Sequence, residues 1–223
     1  CREVCAFQSS YDTTQNFDKP DVYAVKHISD EVRFLSTSGG AFTAISDYVL
    51  EKGGLVYGVA FDEGMNVVHR IALTKEERDT FRGSKYVQSK LGNTFSEIES
   101  LLCRQKIVLF VGTPCQVAGL KSFLNLREID TKNLILCDLV CHGTPSPLIW
   151  KEHISFLEEK EGSRVVEYKN RSKVEGWHKH IEMVIYQNGE KDFRSIRSQN
   201  HKKLFFSHMI FRPACHKCPY TNL

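Results

Sequence analysis

Cys215 and Cys218 are separated by two residues, a spacing that lets two thiolates reach one ion or cluster from a tight turn. Pro213 before them and Pro219 after them favour a fixed turn over a helix interior. Cys115 lies in Gly112-Thr113-Pro114-Cys115-Gln116, at the junction of an apolar run and a helical pattern. Proline suits the first turn of a helix, and a helix N-terminus favours a thiolate. Cys141 follows Cys137-Asp138-Leu139-Val140 at the end of the next strand-like run. Ligand sites of open α/β sheets lie at the C-terminal ends of strands, so Cys115 and Cys141 are expected on one sheet edge, with Cys215 and Cys218 closing over it. Four cysteines at one site suit a cubane iron–sulfur cluster. The C-x-x-C alone serves structural zinc or dithiol chemistry equally well.

The chain has eight cysteines in all. Cys103, read as mid-helix, and Cys137, read as inside a strand, are expected to be small buried hydrophobes. Cys1 and Cys5 share the spacing of the last two cysteines in the bacterial ferredoxin run, with Ala6 in place of its proline. Residues 1–19 therefore read as the tail of a preceding ferredoxin-like segment, and the missing initiator Met agrees with a start inside a longer protein. No leader resembling a signal peptide is visible, so the cysteines read as intracellular metal or redox groups and the location as cytoplasmic.

Two loops combine glycine with hydroxyls beside helix ends. The first contains Ser38, Gly39, Gly40 and Thr43, and backbone N–H groups there can cradle a phosphate. The second contains Gly83, Ser84, Lys85, Tyr86 and Ser89, which supply a cation and an aromatic ring. A plain turn and a helix C-cap account for the same residues without a ligand.

These groups need a scaffold, and the hydrophobic periodicity supplies one. Strands are expected over residues 22–28, Leu55–Phe61, 66–73, 106–112 and 134–140, the last two buried on both faces. Helices are expected over 39–52, 75–81 (capped by Thr74, with Glu77 completing a capping box), 94–105, 116–124 and Pro147–Glu161. Beyond Gly162 come strands over 165–170, Ile181–Tyr186 and 191–196, with an Asn188-Gly189 turn between the last two, and a helix over 199–211. The fold class is α/β, with a mixed or mostly parallel sheet flanked by helices and a smaller hairpin-containing C-terminal part. Residues 20–162 read as an α/β domain that carries both loops, and 163–223 as its C-terminal, C-x-x-C-bearing part. A net charge of +3 and no basic stripe argue against nucleic acid, and no apolar run reaches membrane-spanning length.

The ordered set Ser38-Gly39-Gly40, Gly83-Ser84-Lys85-Tyr86, Gly112-Thr113-Pro114-Cys115-Gln116, Cys141-His142-Gly143 and Cys215-x-x-Cys218 resembles the coenzyme F-420 hydrogenase/dehydrogenase beta subunit family over residues 20–220. The resemblance implies FAD and a [4Fe-4S] cluster, with Cys115, Cys141, Cys215 and Cys218 as the cluster ligands. It implies that residues 20–162 are the flavin-binding domain, with the flavin lined by Ser38, Gly39, Gly40, Thr43, Gly83, Ser84, Lys85, Tyr86, Ser89 and Thr113. It also implies electron exchange with a ferredoxin, a deazaflavin or another acceptor. The Cys-His-Gly-Thr-Pro-Ser-Pro and Gly-Trp-His-Lys stretches look most like the bacterial branch, which implies a ferredoxin domain ahead of this one and a link to polysaccharide synthesis. The family continues past the last C-x-x-C, so part of the flavin pocket is expected beyond Leu223. Two other readings stand beside it: a non-enzymatic iron–sulfur or zinc module for assembly, and a thiol oxidoreductase using Cys115 or the 215/218 pair. No acid–base residue is identified.

Overall fold

The structure is a computed structural model, and it describes residues 19–220. Seven helices and seven strands alternate among those residues: α1 Asp30–Leu35, α2 Ala41–Glu51, β1 Leu55–Phe61, β2 Val67–Ala72, α3 Lys75–Asp79, α4 Thr94–Cys103, β3 Val108–Gly112, α5 Pro114–Leu126, β4 Leu134–Asp138, α6 Pro147–Glu161, β5 Val165–Ser172, β6 Ile181–Tyr186, β7 Lys191–Asp192 and α7 Ile196–Phe206. The first sheet has the order β2-β1-β3-β4. β1 and β2 form an antiparallel hairpin, while β3 and β4 run parallel to β1. The second sheet, β5-β6-β7, is antiparallel. This is the expected α/β class with a separate hairpin-bearing C-terminal part.

The apolar pattern explains the layering. Every residue of β3 is buried, so helices must cover both of its faces. Leu55, Tyr57, Val108 and Phe110 pack with Ile98, Leu102, Leu120 and Leu124 of α4 and α5 on one side. Val56, Ala60, Leu109 and Val111 pack with Val49 of α2 on the other. A third cluster joins the sheets: Trp150, Ile154 and Leu157 of α6 lie between Met65 and Val67 and the inner faces of β5 and β6.

Local signals set the ends of the elements. Thr74 and Glu77 make the reciprocal capping box at α3. Ser146 caps α6 with Pro147 in its first turn, and Gly162 ends it in the left-handed conformation.

Several expectations are corrected. Residues 22–28 form no strand; Val22, Tyr23, Val25 and Ile28 are exposed, and the segment packs by its backbone against Gly39. β4 is an edge strand, half-buried instead of buried on both faces, and it ends at Asp138. Cys103 is exposed at the last position of α4 and is no core residue. Cys137 is half-buried against the α2-side cluster. The 191–196 strand is two residues long, because Ser195 caps α7, and α7 ends at Phe206. The expected ferredoxin-like remnant with Cys1 and Cys5 lies outside the described residues.

Candidate functional site

Cys115 takes its place from the β3–α5 turn. Thr113 precedes the helix, Pro114 opens it, and the Thr113 N–H donates to Gln116 Oε1 at 3.0 Å. Thr113 Oγ1 lies 3.3 Å from Cys115 Sγ. Cys141 follows β4, the strand parallel to β3, so both cysteines emerge on the same sheet edge. The tail is then stitched to the 141–146 loop. Pro145 and Phe211 form an antiparallel bridge, and the Arg212 N–H donates to the Thr144 carbonyl at 3.1 Å. Pro213–Lys217 is a 3-10 turn that presents Cys215 and Cys218.

The result is one small cavity lined by Pro114, Cys115, Cys141, Gly143, Thr144, Arg212, Cys215, Cys218 and Tyr220. All four cysteines singled out from the sequence are therefore brought together. Their surroundings suit sulfur ligands: the Thr144 N–H approaches Cys215 Sγ at 3.5 Å and Thr144 Oγ1 lies 3.9 Å away. Burial pushes the Cys141 thiol up; the Gly143 N–H opposes this, and nearby Cys115, Cys215 and Cys218 add to it. The thiols surround a cavity without meeting at a point. Among the described residues no group of three or more His, Cys, Asp or Glu is placed to hold a single metal ion.

Gly143 is what lets the tail close. Its φ is +133°, and a Cβ there would collide with the Phe211 ring. Phe211 in turn packs edge-on against Phe205 of α7 at 5.1 Å, and Phe205 stacks on Tyr86 at 4.3 Å. Tyr86 thus reaches the cysteine cavity through two aromatic rings.

A second, larger cleft lies between the 34–37 and 79–85 segments and strand β5. Gly83, Ser84 and Lys85 line it, with Ser36 and Thr37 from the first loop. The Ser84 N–H donates to Thr37 Oγ1 at 3.3 Å, which ties the two loops together. Lys85 Nζ turns onto the carbonyls of Thr80, Phe81 and Arg82 at 3.2, 3.1 and 2.9 Å, and loss of water there pushes its pKa down to about 7.

The remaining residues of the expected flavin set do not line this cleft. Gly39 accepts from the His27 N–H at 2.7 Å, and Gly40, with φ +88°, starts α2 against His27 and Val32. Thr43 Oγ1 accepts from Arg82 Nε at 3.2 Å. Ser89 Oγ accepts from Gln116 Nε2 at 2.9 Å, and Gln116 also holds the Thr113 N–H. Ser38 is exposed beside Gly39 and does not line the cleft.

Sequence reasoning missed the far wall. Lys169 and Arg171 of β5 and Lys173 just after it recur at every second position and line the cleft. Arg171 lies over the Trp177 ring at 5.7 Å, and Trp177 Nε1–H donates to the Thr37 carbonyl at 2.9 Å. The alternating cations were visible in residues 165–173, but alternation in an edge strand reads as ordinary solvation until the opposite wall is known.

With this geometry established, comparison with known proteins is informative. Residues 105–222 match a family model that describes the C terminus of the coenzyme F420 hydrogenase/dehydrogenase beta subunit, over more than half of the chain. The chain belongs to this family. The family is named for hydrogenase and dehydrogenase subunits. The match contains Cys115, Cys141 and the C-x-x-C. A solved structure of the xenon-derivatised F420-reducing [NiFe] hydrogenase complex from Methanosarcina barkeri is similar in fold, with a TM-score of 0.56 and 20% identity. The similarity covers 86% of this chain and 63% of that one, so this chain spans less than two thirds of its neighbour's length. No curated protein matches the chain by sequence. No helix among the described residues is long and apolar enough to cross a membrane.

Proposed function

We propose that this chain is the electron-transferring part of a flavin- and iron–sulfur-dependent oxidoreductase. In this reading Cys115, Cys141, Cys215 and Cys218 hold a [4Fe-4S] cluster. The observation that carries it is the shared cavity: four thiols from three separate stretches of sequence line one space. The donor set fits the group, because thiolates bind iron–sulfur clusters and hydrogen bonds from Thr144 and Gly143 stabilise the sulfur charge. The residues were not drawn together by a disulfide, since all four are free thiols.

The larger cleft is the proposed FAD site. The cation row on β5 offers charge to a pyrophosphate, and Thr37, Gly83 and Ser84 offer hydroxyls and uncrowded backbone. Of the other expected flavin residues, Thr43 holds Arg82 of this wall, and Ser38, Gly39, Gly40, Tyr86, Ser89 and Thr113 do not line the cleft. A bound flavin supplies two-electron chemistry and a cluster one-electron chemistry. The chain's own residues bind, orient and couple the two. Gln116 bridges Ser89 of the flavin-side loop to Thr113 beside Cys115, and the Tyr86–Phe205–Phe211 stack links the same loop to Gly143. The electron donor and acceptor, a ferredoxin-like domain and a deazaflavin or related molecule, are part of the proposal, as is a cytoplasmic location.

Anaerobic purification of the full-length protein with flavin analysis tests the enzyme assignment. Lys85→Ala should weaken flavin retention about tenfold, the effect of losing one charge-assisted contact, while leaving iron content unchanged. If the full-length protein takes up no flavin after anaerobic reconstitution, the enzyme assignment fails and a cluster module for assembly replaces it.

A further inference from the structure

Arg212 also lines the four-cysteine cavity. It is half-buried, and its backbone is fixed by two cavity residues. Its N–H donates to the Thr144 carbonyl at 3.1 Å, and its carbonyl accepts the Cys215 N–H at 2.8 Å. Several other arginines have carboxylate partners, among them Arg78 with Asp47 and Asp79, Arg82 with Asp79 and Arg127 with Glu99. Among the described residues no ion pair joins Arg212 to a carboxylate, and the cavity lining contains no Asp or Glu. Nor does Arg212 line the larger cleft, so it is not a binding group for a ligand there.

A guanidinium keeps its charge at any working pH. A half-buried position weakens solvent screening and strengthens its pull on nearby negative charge. The groups that share this lining are the four cysteine sulfurs, which carry negative charge when they ligate iron. Net charge, hydrogen bonding and exposure set the potentials of iron–sulfur sites.

We propose that Arg212 is the charge-balancing residue of the cysteine cavity, offsetting the negative charge gathered there and raising the potential at which the site accepts an electron. The proposal rests on the reading that the four thiols hold an iron–sulfur cluster. The step is a single electron transfer from an external reductant such as dithionite; no bond forms or breaks. Arg212 acts on the site through its charge and is a positioning residue, not a catalytic one.

The test uses the full-length protein, reconstituted anaerobically with iron and sulfide and titrated with dithionite while its visible and electron paramagnetic spectra are followed. Arg212→Gln should keep its iron but accept the electron about tenfold less readily, a shift of ~59 mV to more negative potential for a one-electron couple. Arg212→Lys should recover most of that loss, which a purely structural role would not allow. An unchanged potential in an iron-replete R212Q protein overturns the proposal and leaves the cluster reading standing. If R212Q loses iron, R212K decides: iron retained at near wild-type potential supports a charge role, and iron lost there too overturns it. Wild-type protein that takes up no iron and sulfide removes the underlying reading, and the proposal with it.

Discussion

At the residue scale the cysteine cavity depends on a few positions with narrow tolerances, and Gly143 is the most restrictive. Its φ of +133° suits glycine alone, and the Phe211 ring occupies the space a Cβ would need. Gly143→Ala should cost roughly 3 kcal/mol, combining backbone strain with overpacking of an aromatic ring. For a chain of this size that lowers the melting temperature by roughly 6–12 °C. A thermal melt checks it; an unshifted midpoint would mean that Phe211 moves aside freely and the tail is not locked to the 141–146 loop. The four cysteines that line the cavity were legible in the sequence because their spacing is chemical: C-x-x-C, and cysteines at the ends of strand-like runs. Arg212 and the β5 cations were not legible, since a lone basic residue reads as solvated until its surroundings are known.

At the element scale, the strands and helices with strong periodicity and clear stops were read to the residue. Leu55–Phe61, Ile181–Tyr186 and Pro147–Glu161 are examples, each bounded by a glycine, a turn or a capping residue. Where the reading failed, local pattern and tertiary pairing disagreed. Residues 22–28 alternate like a strand, but no strand of the sheet lies beside them, and without pairing an apolar alternation forms nothing. Helix α1 escaped notice because six residues carry too little periodicity, although its Ser29 cap was present. β4 is apolar enough to suit both faces of a sheet, yet its edge position leaves it half-exposed.

The pairing of β2 with the rest of the sheet carries its own pH dependence. His69 of β2 is buried, its ring stacks on Phe110 at 5.3 Å and its Nε2 lies 3.3 Å from the Val111 carbonyl. Burial pushes its pKa down from 6.5 to about 4 despite the Val111 contact. The folded protein therefore binds fewer protons at this site than the unfolded chain between pH 6.5 and 4. Stability from His69 is complete above 6.5, falls as pH drops towards 4 and is constant below it. The loss amounts to about 3 kcal/mol at most. His69→Phe should flatten that part of the stability–pH curve in denaturant titrations. An equally steep decline in the variant would move the effect to other groups, of which His153, pushed down to about 3 by burial, is the first to consider.

At the scale of the whole molecule, a parallel β-α unit delivers two cysteines to one sheet edge, and α6 and the second sheet carry the chain back so that the tail delivers two more. The same return path builds the far wall of the larger cleft from β5. The family membership supports the redox reading proposed above, whose central claim is that the shared cavity is an iron–sulfur site. The most direct measurement is elemental: anaerobically purified full-length protein, analysed for iron, acid-labile sulfide and zinc, beside a Cys215→Ser variant. The account predicts a brown protein carrying about four iron and four sulfide at this site beyond those of any other cluster, with that increment lost in the variant while the fold is kept. A colourless protein with one zinc held by the same cysteines, or iron content unaffected by Cys215→Ser, would contradict it.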